Sequence, residues 1–305
     1  MRAALLHLDD ALIGQSRLRQ AVCDGGGRLL DYRDIGPELR LWSRPPSLLR
    51  LQDRLMSALP GDFGPALVFS GSGDFHHVTP ILLERAIRAA GSPPVTLLHF
   101  DNHPDWVTFG DGAHCGSWVG QAARLPQVVK VLTVGVCSRD LEKSKTEADL
   151  SAIKSDRLEL YPYRAPRGAQ VLSLGGREWS SVEAMGEAAF ADFLPGRIST
   201  TAVYVTIDKD VLHPADAGTN WDQGLTTLAY LKTLLGKVAR DHDLIGADVV
   251  GDWSRPVYGG GLVAAALKRG EALLDQPWRS PAPERREANQ DVNLELLTLI
   301  GELAR

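Results

Sequence analysis

Cysteine is scarce in this chain. There are three in 305 residues, Cys23, Cys115 and Cys137, and no two lie close together. So sparse and odd a set builds no disulfide framework and supplies no Cys-x-x-Cys metal knuckle; a reducing, cytoplasmic setting is expected. Long apolar runs are also missing. Nothing approaches the roughly 20 residues that span a bilayer. The opening "MRAALLHLDDAL" is broken by Asp9 and Asp10 too early for the apolar region of a signal peptide, so no membrane partner is expected. Nor is there an excess of positive charge. Thirty-three Lys and Arg stand against 38 Asp and Glu, a net charge of −5 with no basic stripe, which argues against nucleic acid as a partner. The remainder is ordinary globular composition, 44% hydrophobic and 23% charged, long enough for a large core.

Short apolar, β-branched runs recur at 3–8, 65–71, 95–101, 128–136, 169–176, 202–208 and 243–250. Continuous runs of this kind suit strands buried on both faces, as in parallel sheets. Helical patterns lie between several of them, at 80–91, 182–194 and 226–241. Alternation of strand and helix predicts an α/β fold with a mostly parallel central sheet and helices on both faces. Residues 1–276 read as one domain. Within it, 20–64 mixes Gly, Pro and Arg as an insertion or small subdomain would. The Pro-rich, charged stretch 277–289 reads as a linker, and 290–305 as a C-terminal helix that could dock on this chain or on another copy in a homo-oligomer.

Ligands of open α/β sheets sit beyond the carboxyl ends of the strands. Here "PALVFSG" runs into "SGDFHHVTP", "VTLLHF" into "DNHPDW", "AVYVTI" into "DKDVLHPADAG" and "DLIGADVV" into "GDWSRP". A lone Asp after a strand is usually a cap or a turn residue. Asp101, His103 and Asp105 at strict alternation, with Asp208 and Asp210 two apart on another strand end, are a different matter. Like charges gathered in one buried crevice need cations. A set rich in carboxylate with a minority of imidazole suits hard to borderline divalent ions such as Mn2+, and it exceeds what one ion requires.

These segments resemble, in order along residues 65–275, the arginase/agmatinase ureohydrolase superfamily. "GDFHHVTPILL" is similar to its Gly-Gly-Asp-His-Ser segment, "FDNHPDW" to Asp-Ala-His-x-Asp and "DGAHCGSWVGQA" to its His-Gly loop. "LTVGVCSRDLEKSK" resembles the strand ending in Gly-Ile-Arg-Ser, and "VYVTIDKDVLHPADAGT" the Ser-x-Asp-x-Asp-x-x-Asp-Pro stretch. "DQGLTT" and "LIGADVVGDWS" resemble the late Gly-Gly-Leu-Thr and Val-Glu-Val-Asn-Pro segments. The resemblance implies a three-layer α/β/α fold holding two Mn2+ ions. One ion would take His76, Asp101, Asp105 and Asp208, the other Asp101, His103, Asp208 and Asp210, with Asp101 and Asp208 bridging. His77 is the rival to His76; otherwise it lines the pocket. His99, inside its strand, reads as a satisfied core histidine.

The same resemblance implies hydrolysis of a guanidino or amidino C–N bond with release of urea or a similar product. Asp105 would then orient the attacking water and His114 would shuttle the proton to the leaving amine. Three departures stand out. Phe75 replaces the family's Asp before the first His, His213 replaces a third Asp, and Gly251 stands where the guanidinium-binding Glu belongs, which leaves Asp252 to face the cation. Trp106, Trp118, Trp221 and Trp253 lie in or beside the loops and would wall a pocket for a cation, either an agmatine-like molecule or a peptidyl arginine. The alternatives are a non-catalytic metal-binding protein of the same fold, or a deacetylase-like amide hydrolase with one zinc ion.

Overall fold

The computed structural model describes residues 1–142, 148–278 and 280–304. The tail of the "LTVGVCSRDLEKSK" segment, Arg279 and Arg305 lie outside them. Eight strands form the central sheet: β1 (Arg2–His7), β2 (Arg28–Asp31), β3 (Ala66–Phe69), β4 (Val95–Phe100), β5 (Val128–Val134), β6 (Leu158–Tyr161), β7 (Ala202–Asp208) and β8 (Asp243–Val250). All pair in parallel, in the spatial order β2-β1-β3-β8-β7-β4-β5-β6. Helices flank the sheet, so the architecture is the expected three-layer α/β/α.

The principal helices are α1 (Ser16–Asp24), α2 (Pro45–Ala58), α3 (Thr79–Ala89), α4 (Leu228–Asp241), α5 (Leu262–Asp275) and α6 (Pro283–Leu303). Helix α3 packs on β8 and β7, while α6 packs on α1 and α4. Val292, Leu296 and Ile300 of α6 are buried in the main core, so this helix docks on its own chain. It begins at Pro283, inside the stretch read as a linker. Strand β2, from the stretch read as an insertion, pairs directly with β1.

Two elements differ from the sequence reading. The run at 169–176 does not join the central sheet. Val171–Leu174 pairs antiparallel with Arg177–Ser180 instead, because Gly175 and Gly176 adopt positive φ and close a two-residue hairpin. The helix expected at 182–194 is broken at Gly186, also at positive φ. Strands β2 and β6 escaped the sequence reading because each is four residues long and lies at an edge.

The β6 edge is pinned by charge. Glu159 accepts hydrogen bonds from Lys130 (2.7 Å), Arg197 (2.6 Å) and the Tyr161 hydroxyl (2.6 Å). Burial would raise this carboxyl, but the three donors outweigh it and hold it at about 2. A lowered carboxyl stabilises the fold above its unfolded pKa and ceases to as pH falls through the folded value. The network is therefore expected to contribute about 2–3 kcal/mol at neutral pH, lost between pH 4.5 and about 2. Urea unfolding at stepped pH checks this: the difference between wild type and Glu159→Gln should shrink across that window.

The sheet register sets up the site. Ile207 pairs with Phe100, and Asp208 with Val250. Asp101 and Asp208 thus leave neighbouring strands at the same level, on the carboxyl edge.

Candidate metal centre

Six side chains converge at that edge. Asp101, His103 and Asp105 follow β4, Asp208 ends β7, Asp210 follows it, and His76 comes from a 3-10 turn after β3 (Gly73–Val78). His76 Nδ1 lies 3.0 Å from Asp101, 3.2 Å from Asp105 and 3.7 Å from Asp208. It is buried without an aligned hydrogen-bond partner, while Nε2 meets Thr206 at 2.9 Å. His103 Nδ1 lies 2.9 Å from Asp210 and 3.6 Å from Asp101. Two groups offer ligand atoms within 4.8 Å of one another: His76, His99, Asp101 and Asp105, and Asp101, His103 and Asp210.

Close approach of the backbone makes room for this cluster. A Cβ on Gly73 would lie 2.5 Å from Asp208 Oδ2, so the turn carrying His76 can pass over Asp208 only as glycine. Asp105 sits at φ +46, a left-handed conformation that Asp tolerates better than most residues. The Trp118 indole holds it there by donating to Oδ2 at 2.6 Å.

The charges are strongly coupled. Burial and the neighbouring Asp101 push the Asp208 carboxyl up to about 7. Burial, Asp208 and Asp101 push Asp210 well above its ordinary value. Burial works against protonating His76 and His103, but Asp101 and Asp105 beside the first and Asp210 beside the second raise both well above an ordinary histidine. Four carboxylates and two imidazoles packed this closely form a charge arrangement that a bound cation would relieve.

The remaining expected residues divide. His77 points away from the carboxylates; its Nε2 meets Ser43 at 2.7 Å, and burial holds it well below its usual pKa. It lines no part of the cleft. His99 is buried with both nitrogens engaged, by Thr133 and by Asp101, so it braces a cluster carboxylate from beneath. Trp106 and Trp221 line a cleft of about 880 Å3 that opens over the cluster, and His114 lies in its wall. Trp118 is fully buried below His76 and His99, at ring distances of 4.7 and 4.9 Å, and forms no wall. Trp253 stacks under the Arg286 guanidinium of α6 and also lies outside the cleft.

Asp252 is the clearest correction. It does not face the cleft. It is fully buried, 2.7 Å from Lys209 Nζ, and accepts further hydrogen bonds from Gln15 and Asn293. The cause lies one residue earlier. Gly251 has φ +94, and a Cβ there would fall 2.4 Å from Asp208 Oδ1. No glutamate fits at that position, and the chain turns its next side chain inward. Asp252→Asn should therefore leave KM unchanged and strip a buried lysine of its counter-charge, leaving only the neutral Asn293 oxygen at 2.9 Å, at a cost of about 3 kcal/mol. Denaturant unfolding alongside steady-state kinetics would tell the two roles apart.

Sequence reasoning missed three carboxylates. Glu271 of α5 lines the cleft, bonds His114 Nε2 and accepts from the Trp42 indole at 3.1 Å. Gly116 N–H donates to His114 Nδ1 at 2.8 Å, so the neutral ring carries its proton on Nε2, toward Glu271. Asp222 accepts from His103 Nε2 at 3.0 Å. Asp74 pairs with buried Arg40 and accepts from Trp221 and Gln276, tying three loops together. A carboxylate beside Trp221 in "TNWDQG" was a readable hint for Asp222; a single Glu within a helix gave none for Glu271.

This sheet order, with carboxylates and imidazoles gathered on its carboxyl edge, defines a three-layer protein of the arginase-like fold. Residues 64–251 match the sequence model of the Arginase family, and the chain belongs to that family. It is 27% identical over 195 residues to an uncharacterized protein of Thermotoga maritima, covering 64% of this chain and 60% of that one. It is 32% identical over 199 residues to a Schizosaccharomyces pombe protein named provisionally as agmatinase 1, covering 63% and 46%. The matched stretch thus spans about half the length of these curated relatives. Among solved structures, arginase from Bacillus cereus superposes with TM-score 0.59 at 14% identity, covering 99% of this chain and 97% of that one. A hypothetical agmatinase from Burkholderia thailandensis gives 0.58 at 18%, covering 98% and 85%. These structural likenesses are likenesses of fold.

Proposed function

We propose that the protein is a binuclear metallohydrolase that cleaves a C–N bond of a guanidino or amidino substrate and releases urea or a similar product. The observation that carries this reading is His76 Nδ1, buried among three carboxylates with no aligned hydrogen-bond partner. What sets it apart from the equally unpartnered His77 Nδ1 is the company of three carboxylates, a donor set that a divalent cation would hold together. The donor set of four carboxylates and two imidazoles suits manganese. His76, Asp101, Asp105 and Asp208 would hold one ion; Asp101, His103, Asp208 and Asp210 would hold the other. When bound, such a pair supplies a nucleophile from water at neutral pH.

The chain's own groups do the rest. Asp105, fixed by Trp118, accepts a hydrogen bond from the attacking water. His114 would act as the imidazolium, giving a proton to the leaving amine and returning to the neutral ring, with Glu271 beside Nε2 stabilising the charged form. Glu271, in place of Asp252, provides the counter-charge for the cationic substrate and orients His114. Asp222 braces His103 from its outer side. The substrate is an agmatine-like molecule or a peptidyl arginine; membership of the Arginase family and the sequence relative named provisionally as agmatinase 1 support the guanidino class.

Metal analysis of the purified chain followed by a urea-release screen over guanidino compounds tests the reading. Two ions per chain and urea release support it. One zinc ion with amide cleavage favours the deacetylase-like alternative, and two bound ions without turnover favour a metal-binding protein.

A further inference from the structure

Helix α5 is amphipathic in the wrong direction for a surface helix. Surface helices turn their apolar stripe to the core. Here Lys268 and Glu271 face inward: Lys268 is buried, donating to the Glu38 carbonyl and sitting 4.5 Å over the Trp42 ring, and Glu271 meets His114. The apolar side chains face solvent. Val263, Leu267 and Leu274 share one stripe at helical spacing and are 75%, 61% and 85% exposed; Trp278, just beyond the helix, is 92% exposed. Scattered exposed leucines need no explanation, but three apolar side chains along one stripe with a tryptophan beyond it mark a candidate interaction site.

This surface is continuous with the cleft. Leu274 and Trp278 also line it, alongside Glu271 and the carboxylates of the metal cluster. One ligand meeting both parts must be cationic at its tip and apolar along its body. The stripe from Val263 to Leu274 covers eleven helical steps, about 17 Å. One extended residue spans about 3.5 Å, so a free amino acid or agmatine leaves most of the stripe bare, whereas a short peptide covers it.

We propose that α5 docks a polypeptide substrate, with Leu- or Val-type side chains on the exposed stripe and the guanidinium of a neighbouring arginine lowered past Trp278 toward Glu271. This rests on the hydrolase reading and narrows its substrate class to peptidyl arginine.

Three probes test it with the full, manganese-loaded chain: acetyl-Leu-Val-Arg-Leu-Val-amide, acetyl-Ser-Gly-Arg-Gly-Ser-amide and agmatine. The Leu/Val peptide should show a KM at least about tenfold below the Ser/Gly peptide, as about 1.4 kcal/mol of apolar contact gives. The double variant Val263→Asp/Leu267→Asp, at two solvent-facing positions outside the cleft lining, should remove that difference and leave any turnover of agmatine unchanged. Equal KM values for the two peptides overturn the proposal. So does a double variant that turns an oligomer into a monomer in sedimentation without raising the peptide KM, since the stripe is then a contact between copies of this chain. If no probe yields urea, the hydrolase reading fails by itself. Fluorescence anisotropy of a labelled Leu/Val peptide then decides docking: binding weakened at least tenfold by the double variant sustains it, and binding that is absent or unaffected refutes it.

Discussion

Asp208→Asn should abolish turnover and yet raise the melting temperature of the metal-free protein. Both effects have one cause. Burial and Asp101 push the Asp208 carboxyl up to about 7, so above that pH its charge opposes the fold. A group whose folded pKa is raised in this way costs stability when ionised in both states. Asparagine keeps an oxygen that can accept from the Asp210 amide, as Asp208 Oδ1 does at 2.9 Å, and removes the charge. A shift from 3.8 to about 7 corresponds to a gain at pH 8 of up to about 4 kcal/mol, or roughly 10 °C at about 2–4 °C per kcal/mol for a chain this large. With manganese the order should invert, because ligands that bind only the folded state stabilise it by mass action and the variant loses a shared ligand. Asp101→Ala is likewise expected to lose both ions, whereas Asp105→Ala and Asp210→Ala should each weaken mainly one. Calorimetry with and without manganese, plus metal analysis, checks all of this. Full two-ion content in Asp208→Asn or Asp101→Ala would remove the bridging assignment.

His114→Ala should separate proton transfer from metal binding. The ring sits in the cleft wall, bonded by Glu271 and by the Gly116 amide, and makes no contact with the Asp101–Asp208 cluster. Metal content should stay at the wild-type value while kcat falls about 10²–10⁴-fold, the usual worth of a positioned acid or base. Added imidazole should restore part of the rate if it enters the cavity. Glu271→Gln should behave differently. It removes the counter-charge that holds ground state and transition state alike, so KM for a cationic substrate should rise, with a smaller loss in kcat from a less firmly held His114. Loss of metal in His114→Ala would show that this loop belongs to the cluster, and unchanged KM in Glu271→Gln would place the cation elsewhere in the cleft.

The strand ends that carry the cluster were legible because they follow continuous apolar runs, which leave few alternatives to a buried parallel strand. The spacing of Asp101, His103 and Asp105 flagged three ligand-type groups, though they converge through the turn after β4, with Asp105 at positive φ, and not through strand alternation. Only the family resemblance favours His76 over His77 in the sequence, since neighbouring residues of a 3-10 turn point in different directions and spacing does not separate them; here His76 is the one among the carboxylates and His77 meets Ser43. Asp252 misled for a backbone reason. A positive φ at Gly251 reverses the side-chain direction that strand continuation would give, and Lys209, seemingly one more polar residue between two aspartates, was waiting beneath. Trp118 and Trp253 show that aromatic residues near a site pack it as readily as they wall it. Glu271 could not be found from its own surroundings, but "LVAAALKRGEALLD" carries more apolar residues than one core-facing stripe needs, a sign that the helix has a second face to account for.

One side of the cleft comes from a stretch of chain beyond the cluster, while Trp106, His114 and Trp221 on the rest of the wall share the cluster's stretch. All six metal-cluster side chains fall within residues 64–251, the part shared with the family, whereas Glu271, Leu274 and Trp278 follow it. On the proposed reading, exchanging the segment that carries Glu271, Leu274 and Trp278 for that of a relative would alter one wall of the cleft while leaving all six cluster side chains in place.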